Sequence, residues 1–317
     1  MNSQQKIVTI FGGTGFVGRH IVRRLAKAGY TVKVATRAAE RAYFLRPCGT
    51  PGQIIPLTCD FKNPASIAAA VEDANTVINC IGILYEKKRG AFRRAHIDTP
   101  RTIAAAAREA GVKNLIHISA LGIDGNKSRY PATKREGEKA VREEFPNAAI
   151  LRPSVIFGPE DTFFNMFAEL SRYTPALPLI GGGRTRFQPV YVGDVADAVM
   201  ACINNPAASG KTFALGGPEI VTFREIYARL FKATGRKRCL ISLPFGIAKI
   251  QASFLQMLPH PLLTRDQVES LKTDNIVMAG SLKLEDLGIT AKSMDGILAG
   301  YLEYSRPGGH FSDKKRA

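Results

Sequence analysis

The sequence lacks the features that would assign it to a membrane-spanning or exported class. No uninterrupted apolar run approaches the roughly 20 residues that a helix needs to cross a bilayer. A first strand is predicted from residue 6, so we expect neither a signal peptide nor a transit peptide before it. Hydrophobic residues make up 45% and charged residues 22% of the 317 positions, which is typical of a globular protein with a large core.

Cysteine is scarce, and no two cysteines are spaced as a CxxC pair. An odd number of scattered cysteines argues against a disulfide framework and against a zinc site. We therefore expect reduced thiols in a cytosolic compartment and no metal, with Cys80 and Cys202 buried because they lie in apolar stretches. The five cysteines are Cys48, Cys59, Cys80, Cys202 and Cys239.

Acidic residues are few relative to basic ones. The 44 Lys and Arg residues against 27 Asp and Glu residues give a formal charge of +17, with basic clusters at 86–94 and 314–316. This charge fits a solvated basic surface, anionic lipid headgroups or an acidic protein partner. We expect no nucleic acid partner, because no nucleic-acid-binding motif accompanies the charge.

Repeats, low-complexity segments and long linkers are also missing, and strands alternate with helices instead. This alternation predicts an α/β fold, a Rossmann-like doubly wound parallel sheet with a smaller, interleaved C-terminal α/β region. Asn63-Pro64 and Asp98-Thr99-Pro100 are typical helix starts, a capping side chain followed by proline. The predicted domains are 1–158 with 188–217 (nucleotide-binding), 159–187 with 218–305 (smaller region) and 306–317 (basic tail). The predicted strands are 6–11, 31–36, 54–58, 76–81, 114–118, 148–152, 190–192 and 211–215; the predicted helices are 16–28, 64–73, 98–110, 131–145, 163–173, 193–204 and 222–234.

A glycine-rich turn follows the first predicted strand and leads into the first helix. Glycines 12, 15 and 18 are spaced so that backbone N–H groups can approach a pyrophosphate at the positive end of the helix dipole. A second strand follows the helix, which is the context that makes this motif specific. The predicted pyrophosphate site comprises Gly12, Thr14, Gly15, Phe16, Val17 and Gly18.

The end of the second predicted strand indicates which dinucleotide binds. An NAD site usually places an acidic residue there, whereas this strand ends in Thr36-Arg37, with Arg41 one turn later. An arginine pairs with a 2′-phosphate, so the sequence predicts NADPH as cofactor. Asp60 suits an adenine-edge contact. Three residues that end the fourth strand, Cys80, Ile81 and Gly82, are predicted to pass beside the cofactor.

A YxxxK pair at the start of a predicted helix is the candidate catalytic group. A spacing of four places Tyr130 and Lys134 on one helix face, where the lysine ammonium would lower the pKa of the tyrosine for acid–base work. The lysine could also hold ribose hydroxyls. Ser119 ends the fifth strand and could orient a substrate oxygen.

Residues 240–263 are the most apolar stretch of the chain. On a helical wheel, Lys249 lies on the polar side with Ser253 and Gln256. The opposite arc is wide and apolar, which favours burial in a core and leaves open a contact with a partner or a membrane surface. The apolar residues are Ile247, Ile250, Phe254, Leu255, Met257 and Leu258.

The glycine motif, Asn79-x-x-Gly82, Ser119 and the Tyr130/Lys134 pair together resemble the extended or atypical short-chain dehydrogenase/reductase superfamily, over roughly residues 5–300. Four further motifs resemble one branch, the NADPH-binding accessory subunits of respiratory complex I (NADH:ubiquinone oxidoreductase). These motifs are FLRP (44–47), RPSVIFGPED (152–161), QPVYVGDV (188–195) and TRDQVE (264–269).

The resemblance implies a subunit that holds NADPH, has no independent catalysis and docks on other complex I subunits where the peripheral and membrane arms join. The resemblance implies that Gly12, Gly15 and Gly18 bind the pyrophosphate and that Arg37 binds the 2′-phosphate. It also implies that Tyr130 and Lys134 lie at the nicotinamide ribose, and Ser119 and Pro153 belong to the same set of cofactor-binding residues. Because no mitochondrial targeting segment is seen, we expect a bacterial form of this subunit. We expect it to be a peripheral protein on the cytoplasmic face of the plasma membrane. A free-standing NADPH-dependent reductase or an NAD(P)-dependent epimerase/dehydratase is the alternative.

Overall fold

The computed structural model describes residues 6–126, 128–259 and 261–307. Its centre is a seven-stranded, all-parallel sheet with the strand order β11-β6-β5-β4-β1-β2-β3. Ile10 of β1 lies between Val34 of β2 and Ile78 of β4, so β1 is fully internal. The strands are β1 (Ile7–Phe11), β2 (Thr31–Thr36), β3 (Ile54–Thr58), β4 (Thr76–Asn79), β5 (Asn114–Ile118), β6 (Ala149–Pro153), β7 (Ile156–Phe157), β8 (Ala176–Ile180), β9 (Arg186–Phe187), β10 (Val190–Tyr191), β11 (Thr212–Leu215), β12 (Val221–Thr222) and β13 (Cys239–Leu243).

Helices cover both faces of the sheet, which confirms the predicted doubly wound fold. Residues of α1 and α7, such as Leu25 and Val199, pack on one face, and residues of α2 and α4, such as Ile67 and Ile103, pack on the other. The helices are α1 (Phe16–Lys27), α2 (Pro64–Val71), α3 (Ala91–Arg93), α4 (Thr99–Glu109), α5 (Arg129–Glu144), α6 (Phe163–Tyr173), α7 (Val192–Asn204), α8 (Phe223–Thr234), α9 (Phe245–Leu255), α10 (Arg265–Ser270) and α11 (Met294–Tyr301).

A smaller lobe, comprising α6, β8, α8, β13 and α9–α11, has its own core. Phe164, Tyr227 and Leu298 are buried together between α6, α8 and α11. Strand β13 pairs in parallel with β8, and neither of these strands was predicted. Neither strand alternates between apolar and polar residues in sequence, so neither gave a clear strand signal. Strand β13 exposes Ile241, and β8 is largely covered. Of the predicted basic tail at 306–317, the structure describes 306 and 307, and the basic cluster at 314–316 lies outside the described residues.

The stretch at 240–263 was favoured as core, and the structure corrects this. Only Ala248 and Ala252 of α9 are buried, against Val268 of α10. The large apolar side chains face outward, with Phe254 71% and Met257 81% exposed. We call this the apolar surface; it comprises Ile241, Ile247, Ile250, Phe254, Met257, Leu258 and Leu262.

The cysteines and the helix lengths complete the comparison with the sequence. All five cysteines are free thiols; Cys202 is buried as expected, whereas Cys80 is only half-buried. Strand β4 ends at Asn79 rather than at 81, which leaves the next residues as loop. Across the described ranges, none of the helices is long and apolar enough to cross a membrane.

Candidate nucleotide-binding site

A cleft of about 650 Å³ opens at the carboxyl ends of β1, β2 and β4, where the strand order reverses around β1. Ligands of open α/β sheets bind at this kind of switch point. Most of the predicted cofactor residues meet in its wall, which is formed by Gly12, Thr14, Gly15, Ala35, Thr36, Arg37, Arg41, Asp60, Phe61, Lys62, Cys80, Ile81, Gly82, Ile83, Ala91, Arg94, Ala95, Asp98, Thr99 and Thr102.

The three motif glycines serve different purposes. Gly12 has φ +79°, and a Cβ there would lie 3.0 Å from the Cys80 carbonyl. A Cβ on Gly18 would lie 2.2 Å from the Gly12 carbonyl oxygen, so this glycine allows α1 to pack on the turn. Gly15 has φ −76°, and a Cβ there would meet only one atom, at 3.3 Å. Gly12 and Gly18 are therefore required by the fold, whereas Gly15 leaves space on the ligand side.

Helix α1 begins at Phe16 directly after the turn. Among the described residues no side chain caps this helix, so the first-turn N–H groups of Phe16 and Val17 have no helical acceptor. Such donors, at the positive end of the helix dipole, fit a pyrophosphate. The residues present therefore fit the phosphate portion of a dinucleotide.

The end of the cleft beside β2 and β3 is basic. Arg37 follows β2 and Arg41 lies four residues later, and both line the wall with Lys62. Within the described part of the chain, neither guanidinium has an ion-pair partner. Asp60 accepts the backbone N–H of Lys62 (3.0 Å), so its carboxylate is partly used in shaping this loop. This end of the cleft therefore presents cations suited to an anionic group of a ligand.

The central wall is the loop that follows β4. The Asn79 side chain accepts the Ile81 N–H (3.0 Å) and contacts His117 Nδ1 (3.1 Å), which fixes the loop from beneath. The Cys80 carbonyl abuts Gly12. Burial raises the pKa of the Cys80 thiol to about 12, so this cysteine is not a thiolate nucleophile at neutral pH.

Ser119 and Lys134 lie behind this wall rather than in it. Ser119 is 4% exposed, and its hydroxyl has no hydrogen-bond partner among the described residues. The Lys134 ammonium donates to the Ile118 carbonyl (3.0 Å) and would lie 3.8 Å from a Cβ built on Gly82. Burial lowers the pKa of Lys134 to about 8, and the nearby Glu138 carboxylate offsets part of this effect.

Tyr130 departs from the sequence expectation. Lys134 was expected to lower its pKa, but exclusion of water by the surrounding protein raises the pKa to about 12 and Lys134 does not offset this. The Tyr130 ring packs edge-on against His96 and Phe92, with centroids 5.3 Å and 6.0 Å away. A phenol in this environment is poorly prepared to act as a base.

His96 was missed by the sequence analysis. Its Nε2 accepts the Ile83 N–H (3.2 Å) and its Nδ1 contacts the Thr133 hydroxyl (2.9 Å), so Nδ1 carries the proton in the neutral ring. Burial and the Lys134 charge lower its pKa to about 3. His96 therefore joins the cleft wall to α5 as a neutral group. An isolated histidine in a basic loop gives no sequence signal for this role.

Asp266 is a second residue whose role the sequence did not reveal, although it lies in the TRDQVE motif. One carboxylate oxygen accepts the Arg129 N–H (2.6 Å) and the other accepts the Tyr130 N–H (3.0 Å). Ser270 adds a hydroxyl contact to Ser128 (2.7 Å). The smaller lobe thus caps the helix that carries Tyr130 and Lys134. Pro153 ends β6, where its carbonyl accepts the Leu121 N–H (2.8 Å) outside the cleft wall.

Comparisons with known proteins agree with this geometry. The NAD dependent epimerase/dehydratase family matches residues 8–216. A protein of Arabidopsis thaliana named NADH dehydrogenase (ubiquinone) 1 alpha subcomplex subunit 9, mitochondrial, is 36% identical over 316 residues, which span 96% of this chain and 79% of that protein. A ceramide reductase of Caulobacter vibrioides is 31% identical over 238 residues, which span 75% of this chain and 74% of that protein.

Solved structures extend the comparison to three dimensions. An NADPH-dependent quinone oxidoreductase of Escherichia coli, solved with NADPH, is 19% identical and superimposes with a TM-score of 0.74. The superposition covers 92% of this chain and 99% of that one. At this identity the likeness establishes the fold alone.

Proposed function

Because the chain belongs to the NAD dependent epimerase/dehydratase family and is 36% identical to a relative named alpha subcomplex subunit 9 of NADH dehydrogenase, we propose that it is an accessory subunit of respiratory complex I. In this proposal the subunit holds NADPH in a structural role. The observation that carries the proposal is the match to that subunit over 96% of the chain. The proposed location is the junction of the peripheral and membrane arms, on the cytoplasmic face of a bacterial plasma membrane.

The unpaired arginines support NADPH rather than NADH. Arg37 and Arg41 would hold the 2′-phosphate, and the first-turn N–H groups after Gly15 would hold the pyrophosphate. Lys134 and the unpartnered Ser119 hydroxyl are the groups that would serve the nicotinamide ribose. NADPH, when bound, supplies a hydride donor, and the residues of this chain bind and orient it.

The environment of Tyr130 supports a structural role for the cofactor. A reductase of this superfamily needs its tyrosine to donate or accept a proton at a carbonyl. Here the pKa of Tyr130 is raised to about 12, and the ring packs edge-on against Phe92 and His96. A raised pKa makes the Tyr130 phenol a poor base and a weaker acid at neutral pH, whereas the groups that would bind the cofactor are intact.

Two surfaces support docking on other complex I subunits. The apolar surface on β13 and α9 leaves seven large side chains uncovered. The basic cluster at 86–94 exposes Lys87, Lys88, Arg89, Arg93 and Arg94, of which Arg94 also lines the cleft. Anionic lipid headgroups at the membrane edge are a further partner that this charge would attract.

A free-standing NADPH-dependent reductase is the second candidate. It is favoured by the identity of 31% to the ceramide reductase and by the retained Ser119, Tyr130 and Lys134. Hydride transfer to a carbonyl substrate would require the Tyr130 hydroxyl to reach that oxygen. The two candidates therefore differ in whether Tyr130 is needed.

The deciding experiment compares Gly15→Val with Tyr130→Phe in the native organism. The valine fits the backbone at φ −76° but blocks the pyrophosphate, so bound NADPH and assembly of the chain into complex I should fall together. At a hundredfold excess over Kd, bound cofactor stabilises by about 2.7 kcal/mol, which this variant loses. Tyr130→Phe should leave NADPH content and assembly nearly unchanged, as seen on native gels.

The opposite pattern would favour the reductase. If Tyr130→Phe abolished a cellular activity while complex I assembled normally, the protein would be an enzyme. If the wild-type protein purified without any complex I subunit, the accessory role would be wrong.

A further inference from the structure

Arg19, one turn into α1, contacts both the glycine turn and a loop that lies far away in the sequence. Its Nε reaches the Gly15 carbonyl (3.3 Å) and a terminal nitrogen reaches the Thr14 carbonyl (3.2 Å). The guanidinium also pairs with the Glu160 carboxylate and lies 5.3 Å from the centre of the Phe44 ring. One side chain therefore joins the glycine turn to a residue 141 positions later in the chain.

Glu160 occupies a strained position at the entrance to the smaller lobe. Its φ of +72° is unfavourable for a residue with a Cβ. The neighbouring Asp161 holds the loop in place, because its carboxylate accepts the Gly158 N–H (3.1 Å) and the Phe164 N–H (2.7 Å) at the start of α6. Strain of this kind persists where surrounding contacts fix it, and it is frequent at ligand sites.

We infer that Glu160 and Arg19 are positioning residues for the dinucleotide pyrophosphate. This inference rests on the proposed function, that the cleft holds NADPH. In a trans peptide the C=O and the following N–H point in opposite directions. The Gly15 carbonyl already accepts the Arg19 backbone N–H (3.0 Å) at the start of α1, and the guanidinium is a second donor to it, so the two contacts together keep the N–H of Phe16 directed toward the phosphate side.

The orientation of the Phe16 N–H is important because another N–H of the turn, that of Gly15, is already used in a hydrogen bond within the turn. The Gly15 N–H already donates to the Gly12 carbonyl (3.1 Å), so it is committed within the turn. The donors left for an anion are those of Phe16 and Val17 in the uncapped first turn. Glu160 pairs with the Arg19 guanidinium while that group reaches both carbonyls, and so a residue at the entrance to the smaller lobe shapes the phosphate site.

Arg23 provides a matched control. It lies one turn after Arg19 on the same helix and is 3.9 Å from the other oxygen of Glu160. In the described structure it has no contact with the glycine turn. Arg23→Gln removes a cation of equal charge from the same carboxylate without releasing the turn.

The test measures binding of two ligands to Glu160→Gly, Glu160→Gln and Arg23→Gln. NADPH spans the pyrophosphate site, whereas adenosine 2′-monophosphate occupies only the adenosine end. NADPH affinity is read from nicotinamide fluorescence, and affinity for the monophosphate from displacement of NADPH. Both Glu160 variants should lose about fivefold to tenfold in NADPH affinity, the effect expected for weakened charge-assisted contacts. Affinity for the monophosphate should be unchanged, and Arg23→Gln should match the wild type for both ligands.

Thermal unfolding separates positioning from a general loss of structure. Glycine accepts φ +72°, so Glu160→Gly relieves strain and should not lower Tm, although it weakens NADPH binding. The inference is overturned if NADPH affinity is unchanged or rises in the Glu160 variants, or if both ligands weaken in parallel with a fall in Tm. A wild-type protein that binds no NADPH would instead overturn the proposed function.

Discussion

Lys134 shows how one buried charge couples the candidate site to pH. Its pKa is lowered to about 8 in the folded protein from an ordinary value of 10.5, mainly by burial. Below pH 8 the folded and unfolded chains both carry the proton, so the free energy of unfolding does not change with pH through this group. Between pH 8 and 10.5 the unfolded chain binds more protons, so stability rises with pH, by about 3 kcal/mol over the full range.

Lys134→Met tests this directly in cofactor-free protein. The wild type should gain stability relative to the variant as the pH rises from 7.5 to 9.5, because only the wild type releases this proton on folding. Urea unfolding of both proteins at several pH values gives the difference in unfolding free energy. The buried thiols, whose pKa values are raised, act equally in both proteins and cancel in this difference. A difference that stays flat across this range would contradict the assigned burial of the charge.

Arg37 determines cofactor choice at the residue scale. Arg37→Asp should reverse the preference from NADPH toward NADH, since an aspartate accepts hydrogen bonds from a ribose hydroxyl and repels a 2′-phosphate. The expected loss in NADPH binding is about 1.5–3 kcal/mol, which is the range for a lost charge-assisted contact. Isothermal titration with both nucleotides measures it. Equal affinity of the wild type for NADH and NADPH would refute the assignment.

At the scale of elements, α5 depends on a cap from another lobe. Asp266→Asn should lower the free energy of unfolding by about 1 kcal/mol, because the amide keeps one acceptor oxygen and no charge, so only one of the Arg129 and Tyr130 N–H groups retains its acceptor. It should also weaken NADPH binding, since the start of α5 carries Tyr130 and leads to Lys134. Denaturant unfolding and NADPH titration measure the two effects.

Asp274→Asn is the matched control for this prediction. Asp274 also accepts a backbone N–H, that of Arg186 (2.8 Å), and pairs with the same residue, but it does not touch α5. It should lower stability without changing NADPH affinity. If both variants lowered NADPH affinity equally, the cap on α5 would have no special effect on the site.

Sequence reasoning on elements succeeded where the signal was local. The Asn63 side chain accepts the Ala65 N–H (3.0 Å) and starts α2 as predicted. Asp98 does not cap α4, because it already has helical φ and ψ at the end of the turn Arg94–Asp98. That turn crosses α5 closely, where a Cβ on Gly137 would lie 1.8 Å from the His96 carbonyl. A tertiary contact thus overrides a good capping sequence.

At the scale of the whole molecule, the basic cluster at 86–94 and the apolar surface are both exposed. Phe254→Gln combined with Met257→Gln should leave folding and bound NADPH intact, because both side chains are largely exposed. Association with complex I should fall, as sedimentation with native membranes would show. If the double variant were insoluble or lost NADPH, the apolar surface would be part of the core after all.

Salt concentration distinguishes charge contacts from apolar contacts in the association with complex I. The Debye length falls from about 10 Å at 0.1 M to about 3 Å at 1 M, so charge attraction weakens while apolar burial does not. High salt alone should release the wild type partly, and salt with mild detergent should release more. Replacing Lys87, Lys88 and Arg89 with glutamate should remove the salt-sensitive part. Complete release of wild type by salt alone would contradict an apolar contact.

The sequence by itself determined the sheet, the glycine turn and the basic end of the cleft, because each depends on residues close together in the chain. A strand and its helix follow from the periodicity of apolar residues, and the turn between them follows from glycines at positions where a Cβ would contact the neighbouring backbone too closely. Only the tertiary structure decided the exposure of α9, the raised pKa of Tyr130 and the contacts of Glu160, His96 and Asp266 with the site. Burial and cross-lobe contacts depend on which distant residues the fold brings together, and no local pattern records that.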